Sequence, residues 1–181
     1  VLLISAIHDI GLLRHLVGEI VTVQAFGKRS RISPELYGTV SINMEFANSV
    51  MGSLVISDEV SSINSWEVTS GENPNFPNYN DGFAYIFGGT RGSMSLPSGA
   101  TYLDPSCNGW RAEMSKSIID HKVENPLENQ LNHVIDMIEK GANPKIGVEE
   151  GIRNLAVVEA IEGSLSKGGT PIPVESANSF E

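Results

Sequence analysis

"GTVSINMEFANSVMGSLVIS", residues 38–57, decides the fold class. Val40, Ile42, Met44 and Phe46 alternate with Thr39, Ser41, Asn43 and Glu45. That period of two is what a strand with one buried face requires. Ala47-Asn48-Ser49 then makes a short polar turn, and "VMGSLVIS" resumes the extended pattern, so the stretch reads as a β-hairpin. Hairpin-linked strands pair antiparallel, and an antiparallel sheet needs cover on one face only.

Working toward the N-terminus, "EIVTVQAF" (19–26) reads as a further strand, and before it the period changes to 3.6. Ile7, Ile10, Leu13 and Val17 fall at helical spacing, widened by Leu12 and Leu16. Ser5 is the expected cap, Asp9 lies in the first turn, Arg14 and His15 lie in the last, and Gly18 is the stop. Gly11 is a poor residue for a helix interior. Toward the C-terminus, "SWEVTS" (65–70) and "GFAYIFGG" (82–89) are expected strands around the loop "GENPNFPNYND", and "GSMSLP" (92–97) and "ATYLD" (100–104) are shorter ones. After about Asn125 the chain becomes helical. Leu127, Leu131, Val134, Ile135 and Ile138 form one apolar face ended by Gly141. Val148, Ile152, Leu155, Ala156 and Leu165 form another ended by Gly168-Gly169. "TPIPV" is an expected closing strand and "ESANSFE" a loose end. This order predicts an α+β fold: an open, mostly antiparallel β-sheet with helices on one face, in a single domain over residues 1–181.

The balance of 12 Lys and Arg against 22 Asp and Glu gives a net charge of −10. Nucleic acids and anionic membranes need a concentrated positive surface, so neither is an expected partner. The lone Cys107 excludes an internal disulfide and fits a reducing cytoplasm. No stretch approaches the ~20 apolar residues of a membrane span. "GGTRG" (88–92) is the one candidate for a phosphate-cradling glycine turn, but its spacing is wrong and it sits between two strands rather than before a helix. The four histidines, His8, His15, His121 and His133, show no metal-ligand spacing. His15 suits a helix end, His133 a packed or half-exposed helical position, and His121 carries no signal. His8 stands where an apolar segment, expected to be buried, enters a helix. On the residues alone it is either a structural histidine or one whose charge state its surroundings set.

Taken as an ordered set, these segments resemble the C-terminal domain of the glucose–fructose oxidoreductase / inositol dehydrogenase / MocA family. "HDIGLLRHLVGEIVTVQA" is similar to that family's histidine-bearing helix and the strand after it, "GTVSINMEFANSVMGSL" to its hairpin, and "FGGTRGSMSLP" to its strand–turn–strand. "NPLENQLNHVIDMIEKGANPKIGVEEGIRNLAVVEAIEGSLSKGGTPI" resembles its closing helix pair. The resemblance covers about residues 1–174 and implies a dihydrodipicolinate-reductase-like C-terminal domain that binds substrate and mediates oligomerisation. It also implies a separate Rossmann domain, absent from this chain, that binds NAD or NADP. The fragment alone is then expected to bind no cofactor and to be inactive. His8 matches the family histidine that exchanges a proton with the substrate, and Ser5 and Asp9 are the nearby candidates for substrate binding. The family's aspartates fall on Ile4 and Gly11. Those departures leave an alternative, a non-catalytic binding or scaffold domain. The implied partners are a polyol, sugar or related hydroxy compound and a second copy of the chain. The copies would form a homodimer or tetramer through the sheet face bearing the Val40/Ile42/Met44/Phe46 set or its neighbours.

Overall fold

The computed structural model describes residues 1–106, 111 and 113–175. Cys107, and the expected loose end from residue 176 on, lie outside the described residues. The chain divides into two compact units, Val1–Val60 with Lys145–Glu181, and Ser61–Pro144.

The first unit is built on a four-stranded antiparallel sheet. Its strands are β1 (Ile20–Arg29), β2 (Tyr37–Phe46), β3 (Met51–Ser57) and a short β8 (Ile172–Pro173), in the order β3-β2-β1-β8. The hairpin is as read: Val40 pairs with Ile56, Ile42 with Leu54 and Met44 with Gly52. Val40, Ile42, Met44 and Phe46 are buried, as are Val23 and Ala25 of β1. With them lie Val157, Val158 and Ile161 of the long helix α3 (Val148–Ser166), and Ile10 and Leu13 of α1 (Ile7–Val17). The sequence expectation placed the 40/42/44/46 set, or its neighbours, on the uncovered face. The apolar set in fact points to the helices, because helix burial is what stabilises it. The neighbours Ser41, Asn43 and Glu45 take the open face.

Two features seat α3 against β1. Ser164 is fully buried; its hydroxyl accepts the Ala25 N–H at 2.9 Å and donates to the Thr170 carbonyl at 2.7 Å. Gly27 leaves room that no Cβ could share, since one would lie 2.5 Å from the Tyr37 ring and 2.9 Å from Leu165.

The α1 helix does not open on a serine cap. A single π-turn, Leu2–Ala6, runs directly into it, with the Ser5 and Ala6 N–H groups donating to the Val1 carbonyl. The chain is already helical at Ser5, so its hydroxyl has no terminal N–H to receive. The opening segment is buried on one side only. Leu2 and Ala6 are inside, while Leu3 is 58% and Ile4 82% exposed.

The second unit holds a meander of β4 (Tyr85–Gly89), β5 (Gly92–Leu96), β6 (Ala100–Leu103) and β7 (Ser115–Ile118), all antiparallel. Residues 65–70 form a turn rather than the expected strand: the Trp66 carbonyl accepts the N–H groups of Thr69 and Ser70. The β7 strand carries no sequence signal because all four of its residues are exposed. The α2 helix (Pro126–Lys140) starts at Asn125, whose side chain accepts the Leu127 and Glu128 N–H groups, and ends at the left-handed Gly141. It buries none of its residues.

Candidate functional site

The candidate site lies on the first turns of α1. His8 and Ser5 are both exposed, and Asp9, one residue on, is half-buried and engaged elsewhere. Ser5 and Ile4 precede His8 by three and four residues, the spacings at which helical neighbours meet, whereas adjacent Asp9 points about 100° away. His8 makes no hydrogen bond or ion pair with any described residue. A donor/acceptor ring therefore stands exposed just after a π-turn that carries two exposed apolar side chains, Leu3 and Ile4. Such turns often occur at functional sites.

The other side of α1 is fixed by a network that the sequence reading did not foresee. Arg14, expected only as a dipole partner, is buried. It forks onto Glu19, with Nε to Oε2 at 2.9 Å and Nη2 to Oε1 at 2.8 Å. It also meets the Glu150 carboxylate at 3.1 Å and donates to Asn154 Oδ1. Arg153 closes the cluster on Glu150 at 2.8 Å. The Glu19 pKa is lowered, chiefly by the hydrogen bond from Arg14, against the opposing pull of burial. Burial alone would depress Arg14, but the bonds and charges of Glu19 and Glu150 outweigh it and hold its pKa above the ordinary value.

Gly11 faces this seam, where a Cβ would lie 2.8 Å from the Asn154 amide nitrogen. The residue that looked like a helix fault is the point of close approach between α1 and α3. The signal available in sequence was the trio Arg14, Glu19 and Glu150, but pairing across 136 residues is not legible from spacing.

The "GGTRG" stretch forms the β4–β5 hairpin, with Gly89 opposite Gly92. It does not precede a helix, and its N–H groups are not gathered at a helix N-terminus, so these residues do not fit a dinucleotide phosphate. Among the described residues, no group of three or more His, Cys, Asp or Glu side chains could hold a metal ion. No described helix is long and apolar enough to cross a membrane.

The sequence model of the oxidoreductase family, C-terminal alpha/beta domain, matches residues 1–174. The chain belongs to this family. None of the curated protein sequences matches it. Solved structures similar to this domain of the oxidoreductase family include an oxidoreductase from Thermotoga maritima, with 19% identity and a TM-score of 0.64 over 96% of this chain and 44% of that one. Another is the aldose–aldose oxidoreductase from Caulobacter crescentus complexed with glycerol, with 18% identity and a TM-score of 0.66 over 95% and 47%. A third is levoglucosan dehydrogenase in complex with NADH and levoglucosan, with 18% identity and a TM-score of 0.65 over 95% and 49%. At these identities the likeness is one of fold. The chain spans about half the length of these structures.

Proposed function

We propose that this chain is the substrate-binding and oligomerisation domain of a cytoplasmic NAD(P)-dependent oxidoreductase acting on a polyol, sugar or related hydroxy compound. The family match over residues 1–174 carries the reading. Similar folds have been solved with NADH and levoglucosan, and with NAD+ and L-tartaric acid. The dinucleotide would be held by residues outside this chain and supplies the redox chemistry when bound. The contribution of this chain is to hold substrate at α1 and to move a proton there. His8 is the group for that proton: exposed, without a hydrogen-bond or ion-pair partner among the described residues, and able to give or take one at a substrate oxygen. Ser5 and Asp9, on the same first turns of the chain, are the residues that would bind the same substrate.

The test is His8→Asn in the intact protein. Because His8 is exposed and makes no hydrogen bond or ion pair with a described residue, thermal stability and cofactor affinity should hold while kcat falls ~10²–10⁴-fold. A kcat within a factor of about three of the parent would overturn the assignment.

The second reading, a non-catalytic scaffold, is favoured by Ile4, which puts an exposed apolar side chain where relatives place an acid. Gly11 lends it less support, since that position packs against α3.

Assembly through the open sheet face belongs to the same proposal. That face carries Thr22, Gln24, Phe26 and Lys28 of β1 against Glu45, Asn43, Ser41 and Thr39 of β2. A shallow groove of about 560 Å³ runs past Gln24, Asn43, Glu45 and Met51. Lys28 and Glu45 sit at opposite ends of the patch, about 20 Å apart at ~3.4 Å per residue. A two-fold axis lying in the interface perpendicular to the strands, through the middle of the patch, would set each against the other residue of the second copy. Glu45→Lys should dissociate the dimer to 19.5 kDa monomers in light scattering, and adding Lys28→Glu should restore it. A Glu45→Lys variant that remains fully dimeric contradicts this packing.

A further inference from the structure

A cavity of about 220 Å³ lies wholly within the second unit, and the proposed function makes no use of it. Its shape is built in. Gly99 has φ +66°, and a Cβ there would lie 2.5 Å from the Ile119 carbonyl oxygen. The Ile119 N–H in turn donates to the Gly99 carbonyl at 2.9 Å. Only glycine lets the chain after β7 approach the β5–β6 turn so closely, and that approach sets residues 119–123 as one wall.

The opposite wall comes from the turn that replaced the expected strand. The Trp66 indole N–H donates to Glu72 Oε2 at 2.8 Å, and the Glu72 N–H is received by the Ser70 hydroxyl at 3.3 Å. Trp66 is backed by Tyr85, with ring centroids 6.1 Å apart. Met94, Leu96, Pro97, Ile119 and Val123 make the rest of the lining mostly apolar.

Four polar residues break that lining: Ser70, which receives the Glu72 N–H, Lys122, which pairs with Glu124 at 3.4 Å, and then Glu72 and His121. Glu72 keeps its second carboxylate oxygen, Oε1, without a hydrogen-bond partner among the described residues, and His121 stands unpartnered at the edge. The volume is that of roughly seven liquid waters at ~30 Å³ each, the size of a single small ring. A lining of this kind rejects a molecule that is polar all round, because its hydroxyls would lose water without finding partners. It accepts an apolar body with one donor aimed at the carboxylate.

We propose that this cavity binds a small cyclic alcohol whose ring fills the apolar walls and whose hydroxyl donates to Glu72. The site is built from residues of the second unit alone and does not depend on the proposed enzymatic role. A bond to a charged acceptor is worth ~10-fold or more in affinity.

The probe is cyclohexanol, read by the indole N–H signals in two-dimensional NMR of this chain. The chain has two tryptophans, and Trp66→Phe assigns the signal. Cyclohexanol should move the Trp66 signal saturably, with a Kd on the order of 1 mM for so few atoms. Methoxycyclohexane, the same ring without a donor, should bind at least ~10-fold more weakly. In Glu72→Gln the amide oxygen can still receive the Trp66 N–H, while the amide nitrogen now offers a donor. Alcohol and ether should then bind alike. The proposal is overturned if cyclohexanol gives no saturable shift, if the ether binds the unaltered protein as tightly as the alcohol, or if D-glucose saturates at lower concentration than cyclohexanol. It is equally overturned if Glu72→Gln retains the full preference for the alcohol. The alcohol–ether comparison needs no variant, so it stands whether or not Glu72→Gln folds.

Discussion

Arg14→Met cuts the network that fixes α1 while leaving an unbranched chain of similar length in its place. The Arg14 side chain is 3% exposed, but its two carboxylate partners, Glu19 and Glu150, are 53% and 42% exposed. Breaking a fully buried pair strands a charge and costs ~3–5 kcal/mol. Here both carboxylates can turn to water, so each ion pair counts nearer the ~0–1 kcal/mol of an exposed pair. The Asn154 side-chain oxygen and the Glu150 carbonyl also lose a donor, at ~1 kcal/mol each. The expected loss is about 2–4 kcal/mol, and for a chain of this size that lowers Tm by roughly 4–16 °C.

The pH dependence has a definite sign. The Glu19 pKa is lowered in the folded state, so the unfolded chain takes up its proton first as the pH drops. The contribution is therefore complete above the ordinary carboxylate value of 4.5 and is lost as the pH falls through the folded-state value. Melts followed by circular dichroism should show the full gap between parent and variant at pH 7, and a gap that narrows steadily below pH 4.5. A gap under about 1 °C at pH 7 would refute the role of the network, since it corresponds to well under ~1 kcal/mol. A gap that does not change with pH would show that Arg14 acts by packing and that its charge contributes nothing.

Three further outcomes follow from the packing. Gly27→Ala forces a methyl to within 2.5 Å of the Tyr37 ring, which Arg29 covers at 4.0 Å, and should cost ~1–3 kcal/mol in a urea unfolding curve; a midpoint equal to the parent's would mean that Tyr37 swings clear. Ser164→Ala leaves the Ala25 N–H and the Thr170 carbonyl without their partner in the buried seam, and should lower the urea midpoint by the equivalent of ~1–3 kcal/mol with m unchanged. Asn125→Ala removes the α2 cap at a cost of ~1 kcal/mol, read as faster amide exchange at Leu127 and Glu128; unchanged exchange would refute the capping bond.

What could be read from sequence divides along one physical line. Elements with one wet and one dry face announce themselves, which is why β2, β3 and α1 were legible to within a residue or two. The stretch at residues 65–70 misled because Trp, Val and Thr are strand-formers, and the bonds that hold it as a turn come from the Trp66 carbonyl and the Glu72 side chain. The β7 strand was silent because nothing on it is buried. Among the candidate site residues, His8 was singled out by its place at the mouth of a helix and by the family pattern, and it stands exposed on the first turn of α1. The cavity around Trp66, Glu72 and His121 was not legible, since it gathers residues from three separate stretches.

The two departures of α1 from the family pattern carry unequal weight, and only the structure separates them. Gly11 and Ile4 are seven residues apart, a spacing that would put both on one face of a regular α-helix. The π-turn over Leu2–Ala6 breaks that register. It leaves Ile4 outside at 82% exposure, while Gly11 faces Asn154 across the seam with α3. Loss of an acid at Gly11 is therefore a change of packing: Arg14 finds its partners in Glu19, Glu150 and Asn154 instead. Loss of an acid at Ile4 is a change in the site itself, because no other carboxylate on the first turns of α1 is both exposed and unengaged. A substrate hydroxyl at this face would thus meet an imidazole and an apolar wall rather than an imidazole and an acid. Within the proposed function, that pairing would favour, among polyols, sugars and related hydroxy compounds, a substrate that presents its reacting oxygen beside a C–H surface.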